Sequence, residues 1–265
     1  MIPRVTVVTP TLNAAQYFHE CLASLEAQRE FASVEHIVVD DGSTDGTRDI
    51  AVAAGATILN GERAGLYAAM NLGLAHATGD YVGVLNADDY LYPGALTSLV
   101  AAIHRSGRPW AIGTLEWVDG KGRTGGTLAP PPAWLPPAAL ACLGWNWMHH
   151  QTTYMTRTFW SSLGGFDTSF RSASDYDLVL RARRAAPFAT VHSTIAAFRR
   201  HGGNVSMTLD VTRLEEARIQ DMYGPTLPVA AGLIKLLDKA LVNTRNPRWA
   251  LTKGRTKRAR SPGDG

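Results

Sequence analysis

Along the first hundred residues, short apolar runs alternate with stretches in which apolar positions recur every three or four residues. Val5 to Thr9, His36 to Val39, Ala56 to Leu59 and Tyr81 to Leu85 are runs of the first kind and predict buried strands. Ala14 to Gln28 sets Tyr17, Phe18, Cys21, Leu22 and Leu25 on one face and predicts a helix. Thr44 to Ala54 and Gly65 to Ala77 predict two more, and Pro93 to His104 a fourth with proline in its first turn. Strands alternating with helices at this spacing imply right-handed crossovers and an α/β fold: a mostly parallel central sheet with helices on both faces.

After residue 105 the pattern changes. Ala111 to Val118 and the glycine-rich turn behind it suggest a hairpin, and the five prolines in Pro130 to Pro137 read as a stiff connection. From Gly144 onward Trp145, Trp147, His149 and His150 crowd together, and helices are expected at Ser174 to Arg184, Val211 to Met222 and Val229 to Leu241.

In a parallel sheet, ligands bind beyond the carboxyl ends of the strands. Those ends carry TPTLN (9–13), DDGSTDGT (40–47) and NADD (86–89), so three polar clusters converge on one edge. A carboxylate such as Asp41 there can accept hydrogen bonds from the N–H groups of a base or from ribose hydroxyls. Asp45 and Thr47 read as capping residues of the following helix. Asn86, Asp88 and Asp89 bring oxygen ligands suited to a hard divalent cation, Mn²⁺ or Mg²⁺, that also grips phosphates. Helix capping is the competing role for the two aspartates. Asp175 and Asp177 open an amphipathic helix, where both would favour its positive end.

Composition bounds these readings. With 265 residues, 45% hydrophobic and 18% charged, the chain can build a sizeable core and is neither disordered nor collagenous. Cys21 and Cys142 match no metal spacing and read as reduced, buried thiols. No stretch reaches the roughly eighteen apolar residues a spanning helix needs, and MIPRVTVVTP leads straight into a strand pattern, so a cytoplasmic protein is expected. The formal charge of +3 is unevenly divided. Arg245, Arg248, Lys253, Arg255, Lys257, Arg258 and Arg260 supply seven positive charges, leaving 19 basic against 23 acidic residues, or −4, for the rest. Trp249 is the one aromatic among them, so nucleic acid is not an expected partner. Together with the amphipathic Val229 to Leu241, this tail would suit an anionic membrane surface; a helix packed on the catalytic domain is the alternative for that segment.

VVTPTLN, VDDGSTDGT, GLYAAMNLGLAHATGDYVGVLNADD, GGFD with SASDYDLVLRA, and HGGNVS, in this order, resemble the family 2 glycosyltransferases, whose fold is of the GT-A type. The resemblance covers residues 4 to about 206, and GLYAAMN, HHQ and HGGNVS look most like bacterial enzymes of the colanic-acid and exopolysaccharide type. It implies a metal-dependent, inverting transfer of a sugar from a nucleoside diphosphate sugar to a hydroxyl of a glycan or lipid-linked acceptor, in surface polysaccharide or lipopolysaccharide synthesis. It further implies that Pro10, Thr11, Asn13, Arg63, Asn71, Asn86 and Ala87 border the donor and that Asp41 recognises the base. Arg63 has a physical reason to do so, since a guanidinium pairs with diphosphate oxygens, although an exposed loop arginine fits its setting equally.

Asp88 matches the second carboxylate of the family's Asp-X-Asp motif and is the expected metal ligand; Asn86 replaces the first. His201 is either a further ligand or a turn residue. Asp175 matches the family's general base, with Ser174 where a glutamate is usual and Asp177 left as structural. His150 and Gln151 would line the sugar pocket. The expected organisation is a catalytic domain over 1–206, divided into a nucleotide-binding half (1–105) and an acceptor half (106–206), then C-terminal helices (207–244) and a flexible basic tail (245–265). The chain has no G-x-G-x-x-G after its first strand and no ordered phosphate-binding loop, which disfavours a Rossmann dehydrogenase or a P-loop protein. It also lacks the basic glycine-rich loop of a sugar-phosphate nucleotidyltransferase. Asn86 keeps one alternative open, a non-catalytic nucleotide-sugar-binding member of the same fold.

Overall fold

The computed structural model describes residues 3–30, 32–143, 149–202 and 209–224. The first strand, β1 (Arg4–Thr11), is buried along all but its first residue, as its unbroken apolar run requires of a strand covered on both faces. It pairs in parallel with β2 (Ser33–Asp40) on one side and β4 (Tyr81–Val84) on the other, and β3 (Thr57–Asn60) extends the parallel array beyond β2. Connecting these strands are α1 (Ala15–Gln28), α2 (Thr47–Ala53) and α3 (Leu66–Ala75). A two-residue strand, β5 (Tyr90–Leu91), leads into α4 (Ala95–Ser106), where Leu96, Leu99, Val100 and Ile103 form the buried face.

The alternation of side chains across the strands sorts the core into two layers. Val8, Ile37 and Val39 pack on one face of the sheet with Met70 and Leu74 of α3, while Val5, Val7 and Val38 pack on the other with Phe18 and Leu25 of α1 and Leu99 of α4. Gly73 of α3 permits a close approach, since a Cβ there would lie 2.4 Å from Val8.

The second half departs from the expected parallel order. β6 (Trp110–Asp119) and β7 (Thr124–Leu128) form the anticipated hairpin, and β8 (Thr153–Thr156) lies antiparallel between β4 and β6. β9 (Ala189–Arg200) runs parallel to β6, and β5 pairs antiparallel with β9. The sheet order is β3-β2-β1-β4-β8-β6-β9-β5 with β7 on β6, so four of its eight pairings are parallel. The inserted antiparallel β8, with the β6–β7 hairpin and the β5–β9 pairing, makes the sheet mixed.

Two further helices were unforeseen: α5 (Pro137–Leu143), which uses the last proline of the stiff run in its first turn, and α6 (Arg157–Leu163), whose N-cap Thr156 accepts from the Phe159 N–H. α7 (Ser174–Ala185) and α8 (Leu209–Tyr223) match expectation. Trp145, Trp147, the segment Val229 to Leu241 and the basic tail lie outside the described residues.

This topology gathers the polar clusters. β8 is antiparallel to both β4 and β6, so β6 and β9 point the same way as β1, β2 and β4. His201, directly after β9, therefore arrives at the edge where those strands end, and His150–Gln151, directly before β8, arrives there from the opposite direction.

Candidate active site

Twelve of the thirteen residues singled out in the sequence line one cavity of about 1140 Å³ at this edge. The two aspartates that close β2 divide the work there. Asp40 is buried and shapes the turn: its carboxylate accepts from the N–H groups of Gly42 (3.2 Å) and Ser43 (3.1 Å) and from the hydroxyls of Thr11 (3.0 Å) and Ser43 (2.5 Å). Burial raises its pKa, but these hydrogen bonds, Ser43's foremost, outweigh burial and hold the carboxyl below the ordinary range. Asp41 lines the cavity. Its Oδ1 accepts from the Arg63 backbone N–H (3.2 Å), and its carbonyl accepts from Arg63 Nε (3.1 Å).

Arg63 and Asn13 are the positive-φ non-glycine residues among those described, at 54° and 51°, and both line the cavity. Asn13 is secured by the second cluster, accepting from the Thr44 N–H (2.9 Å) and donating its own N–H to Ser43 Oγ (2.9 Å). For arginine the left-handed conformation is unfavourable by about 1–3 kcal/mol, and the contacts to Asp41 oppose that. Asp45, as expected, is structural: it accepts from the Thr47 N–H (3.0 Å) and from the first turn of α1 at Ala15 (3.0 Å).

In the third cluster Asp89 is the interior residue and Asp88 the cavity residue. Asp89 accepts from the Arg199 backbone N–H (2.9 Å), Gln151 Nε2 (2.7 Å) and Asn86 Nδ2 (3.2 Å). Burial, and then the adjacent Asp88 charge, push its pKa well above the usual carboxylate range against these three donors. Asp88 Oδ2 lies 2.9 Å from His201 Nε2, and the His201 ring packs on Tyr17 at 5.0 Å. The buried Arg199 braces this corner: it donates to the Asp88 carbonyl (3.1 Å), pairs with Glu20 (2.6 Å) and lies 4.7 Å from the Tyr17 ring centre.

Asp175 stands in the first turn of α7, nearly buried. Its Oδ1 accepts from the Tyr176 N–H (2.9 Å) and the Tyr67 hydroxyl (3.4 Å), and its Oδ2 lies 3.2 Å from His150 Nδ1. The other ring nitrogen of His150 is 3.1 Å from Asn86 Oδ1. Burial, then the Asp175 charge, raise the Tyr67 pKa well above its ordinary value, so Tyr67 stays a donor.

Some placements differ from the sequence reading. Asn71 does not line the cavity: its amide donates to the Phe166 carbonyl (2.8 Å) and accepts from the Phe166 N–H (2.8 Å), tying α3 to the loop before α7. An asparagine side chain mimics a peptide group, and here that capacity is used on backbone. His150 and Gln151 line the cavity, but both His150 ring nitrogens and Gln151 Nε2 face carboxylates and an amide of the protein. Asp177 pairs with Arg181 (2.7 Å) and accepts from the Tyr223 hydroxyl (2.7 Å), away from the cavity, as its structural reading anticipated. Tyr67 and Arg199 went unnoticed; their only signal was position, in GLYAAMN and two residues before the histidine of HGGNVS. Cys21 and Cys142 are buried thiols, and burial pushes the Cys21 pKa up.

Asp88 and His201 form an oxygen and nitrogen pair compatible with a divalent cation such as Mn²⁺. No group of three or more His, Cys, Asp or Glu side chains placed to hold a metal occurs among the described residues. An ion here would therefore draw its remaining ligands from phosphate and water, a common arrangement for magnesium-type sites.

A large cavity at the carboxyl edge of a sheet that begins parallel and turns mixed, walled by separate carboxylate clusters, fits the GT-A type of fold. The chain belongs to glycosyl transferase family 2, whose model matches residues 6–170, more than half its length. It is 28% identical over 244 residues to an uncharacterized glycosyltransferase of Rickettsia prowazekii, covering 89% of this chain and 73% of that one. It is 27% identical over 239 residues to a PGL/p-HBAD biosynthesis glycosyltransferase of Mycobacterium bovis, covering 86% and 89%.

Solved structures share the fold. S. aureus TarS in complex with UDP-GlcNAc matches with a TM-score of 0.67 at 19% identity, over 87% of this chain and 70% of that one. The mannosyltransferase PcManGT from Pyrobaculum calidifontis, in complex with GDP-Man and Mn²⁺, matches with a TM-score of 0.66 at 20% identity, over 99% and 77%.

Proposed function

We propose that the protein is a metal-dependent inverting glycosyltransferase that moves a sugar from a nucleoside diphosphate sugar to a hydroxyl of a glycan or lipid-linked acceptor, in the synthesis of bacterial surface polysaccharide or glycolipid. The observation that carries this reading is the single cavity shared by Asp41, the Asp88–His201 pair and Asp175. Such a cavity has room for a base, a diphosphate and a sugar in series. The UDP-GlcNAc and GDP-Man of the structural neighbours support the donor class, and the PGL/p-HBAD biosynthesis relative supports a biosynthetic role in a bacterium.

Asp41 accepts from the base or ribose of the donor, while Arg63 supplies positive charge beside the diphosphate. Asp88 and His201 would hold Mn²⁺ or Mg²⁺, which when bound neutralises charge developing on the leaving diphosphate. Asp175 takes the proton of the acceptor hydroxyl as that oxygen attacks the anomeric carbon and the bond to the diphosphate breaks. One displacement inverts configuration and requires no covalent nucleophile. No helix among the described residues is long and apolar enough to cross a membrane. We place the enzyme in the cytoplasm, with its basic tail at the inner face of the membrane.

Thermal stabilisation by a panel of nucleoside diphosphates with and without Mn²⁺ identifies the donor. Asp88→Ala should lose the metal-dependent part of that stabilisation. With the donor identified, Asp175→Asn should lower turnover roughly 100- to 10,000-fold while leaving nucleotide binding intact. Undiminished turnover in that variant removes Asp175 from the role of base. A wild-type protein that binds a nucleotide sugar but neither hydrolyses nor transfers it would establish a binding function instead.

A further inference from the structure

Helix α7 carries Asp175 in its first turn, yet it opens on a residue that cannot cap it. Ala173 occupies the N-cap position and offers no side-chain acceptor. The Asp177 N–H makes the first bond within the helix, to the Ala173 carbonyl (3.2 Å), and the Tyr176 N–H donates to Asp175 Oδ1 (2.9 Å). The N–H groups of Ser174 and Asp175 donate to an acceptor from another element, the hydroxyl oxygen of Tyr67 on α3. With N–H donors on its oxygen, that hydroxyl has Asp175 Oδ1, at 3.4 Å, as the acceptor for its one hydrogen.

Tyr67 is itself held. Its ring packs on Phe166 with centres 5.3 Å apart. Asn71, one turn along the same face of α3, fixes the Phe166 backbone through its N–H and its carbonyl, both at 2.8 Å. Arg181 of α7 secures the same loop, donating to the carbonyls of Leu163 (2.6 Å) and Gly165 (2.7 Å). Gly165 has φ 80°, and a Cβ there would lie 2.8 Å from Asn71 Oδ1, so the second glycine of GGFD is what lets Asn71 reach Phe166.

We propose that Tyr67 is a positioning residue for Asp175: its hydroxyl caps α7 from a neighbouring helix and holds Oδ1, so that the helix engages one oxygen of the carboxylate and leaves Oδ2 at the cavity wall. GLYAAMN, GGFD and SASDYD, three separate stretches of sequence, thereby act on one side chain. That the carboxylate so placed removes a proton rests on the reading of Asp175 as base; the capping of α7 does not.

Tyr67→Phe keeps the ring on Phe166 and removes only the hydroxyl. Amide hydrogen exchange of the full chain, followed residue by residue by NMR, needs no nucleotide or sugar. The Ser174 and Asp175 N–H groups should be protected in the wild type. In Tyr67→Phe they should exchange roughly five- to tenfold faster relative to the amides of β1, the equivalent of about one lost hydrogen bond. Exchange that keeps pace with β1 would overturn the capping. With the donor identified, Tyr67→Phe should lower kcat roughly 10- to 100-fold and leave the donor KM unchanged. It should lower turnover no further when Asp175 is already asparagine, since the two residues act as one unit. A loss that adds in full to that of Asp175→Asn, or a raised KM with kcat intact, would overturn the positioning role. Undiminished turnover in Asp175→Asn alone would strike the reading of Asp175 as base instead, and exchange would then decide the capping. If Tyr67→Phe does not fold, the wild type decides: unprotected N–H groups at Ser174 and Asp175 would overturn the proposal.

Discussion

At the scale of single residues, the site depends on side chains whose neighbours leave them one position. Asp41 is the clearest case. A Cβ on Gly61 would sit 1.8 Å from Asp41 Oδ1, so position 61 must be glycine for the carboxylate to stand where it does. Gly61→Ala should therefore displace Asp41 while sparing the core. The expected outcome is nucleotide affinity lowered roughly tenfold, the equivalent of one or two hydrogen bonds at about 1 kcal/mol each, with a melting temperature close to that of the wild type. Calorimetric titration with the identified nucleotide alongside a melting curve checks both halves of the expectation. A large fall in melting temperature with unchanged affinity would mean that Gly61 serves the fold and not Asp41. The sequence singled out Asp41 because a carboxylate at the carboxyl end of a strand can accept from a nucleotide, and the structure sets it in the cavity wall. It did not identify Asp40 as the residue that builds the turn, since adjacent aspartates look alike until one is buried and surrounded by donors. Asn71 misled for a related reason: an amide near a binding motif serves a ligand or a backbone equally well, and only the GGFD loop folded against α3 decides between them.

At the scale of elements, two ties between secondary structures carry stability that can be measured. Asp177 on α7 is buried, pairs with Arg181 and accepts from Tyr223 on α8. Burial, and then the bond to Asp177, push the Tyr223 pKa up to about 12, so the hydroxyl remains a donor. Asp177→Ala leaves the partly exposed Arg181, which keeps its bonds to the Leu163 and Gly165 carbonyls, without its carboxylate, and leaves the Tyr223 hydroxyl without its acceptor; it should cost about 1–3 kcal/mol. Denaturant unfolding measures that cost, and hydrogen exchange should quicken first in α8. The second tie is His36 of β2, whose Nε2 lies 3.0 Å from Thr9 Oγ1 of β1. Burial, and then Arg29, lower its pKa from 6.5 to about 4. The unfolded chain thus binds the proton more readily than the folded one. This contribution to stability is present above about pH 6.5 and falls as pH drops towards 4, by up to about 3 kcal/mol. Unfolding free energies compared over that range should show the decline in the wild type and a shallower one in His36→Gln. The elements of the first half were legible because strands buried on both faces are continuous apolar runs and the helices between them show a clean period. β8 and α6 were not, since Thr153–Thr156 is too short to display alternation and its antiparallel pairing is set by β4 and β6. β9 hid for another reason: His192, Ser193 and Thr194 interrupt its apolar pattern where its register against β6 shifts.

At the scale of the whole molecule, charge and cavity address different partners. Apart from the seven positive charges between Arg245 and Arg260, the chain carries a net −4, and its cavity presents Asp41, Asp88 and Asp175 to what would be, on the proposed function, a diphosphate donor. Like charges disfavour that approach, which is why a cation at Asp88 and His201 and the guanidinium of Arg63 belong to the same reading as the carboxylates. The basic segment has no such task at the cavity. Each Lys or Arg close to an anionic bilayer contributes about 1 kcal/mol, so seven together would outweigh the weak repulsion from the rest of the chain, provided that salt is moderate. An acceptor carried on a lipid would give that attraction a purpose by holding the enzyme where its second substrate is confined. The expected outcome is that the full chain co-sediments with vesicles containing anionic lipid, that a chain ending at Leu241 does so far less, and that raising the salt concentration releases the former. Every described residue is retained in the shorter chain, so its melting temperature and nucleotide binding should match those of the full chain. Equal sedimentation of the two chains would shift the membrane contact to the amphipathic Val229 to Leu241 or the catalytic domain, and sedimentation of neither would leave the acceptor to be found in solution.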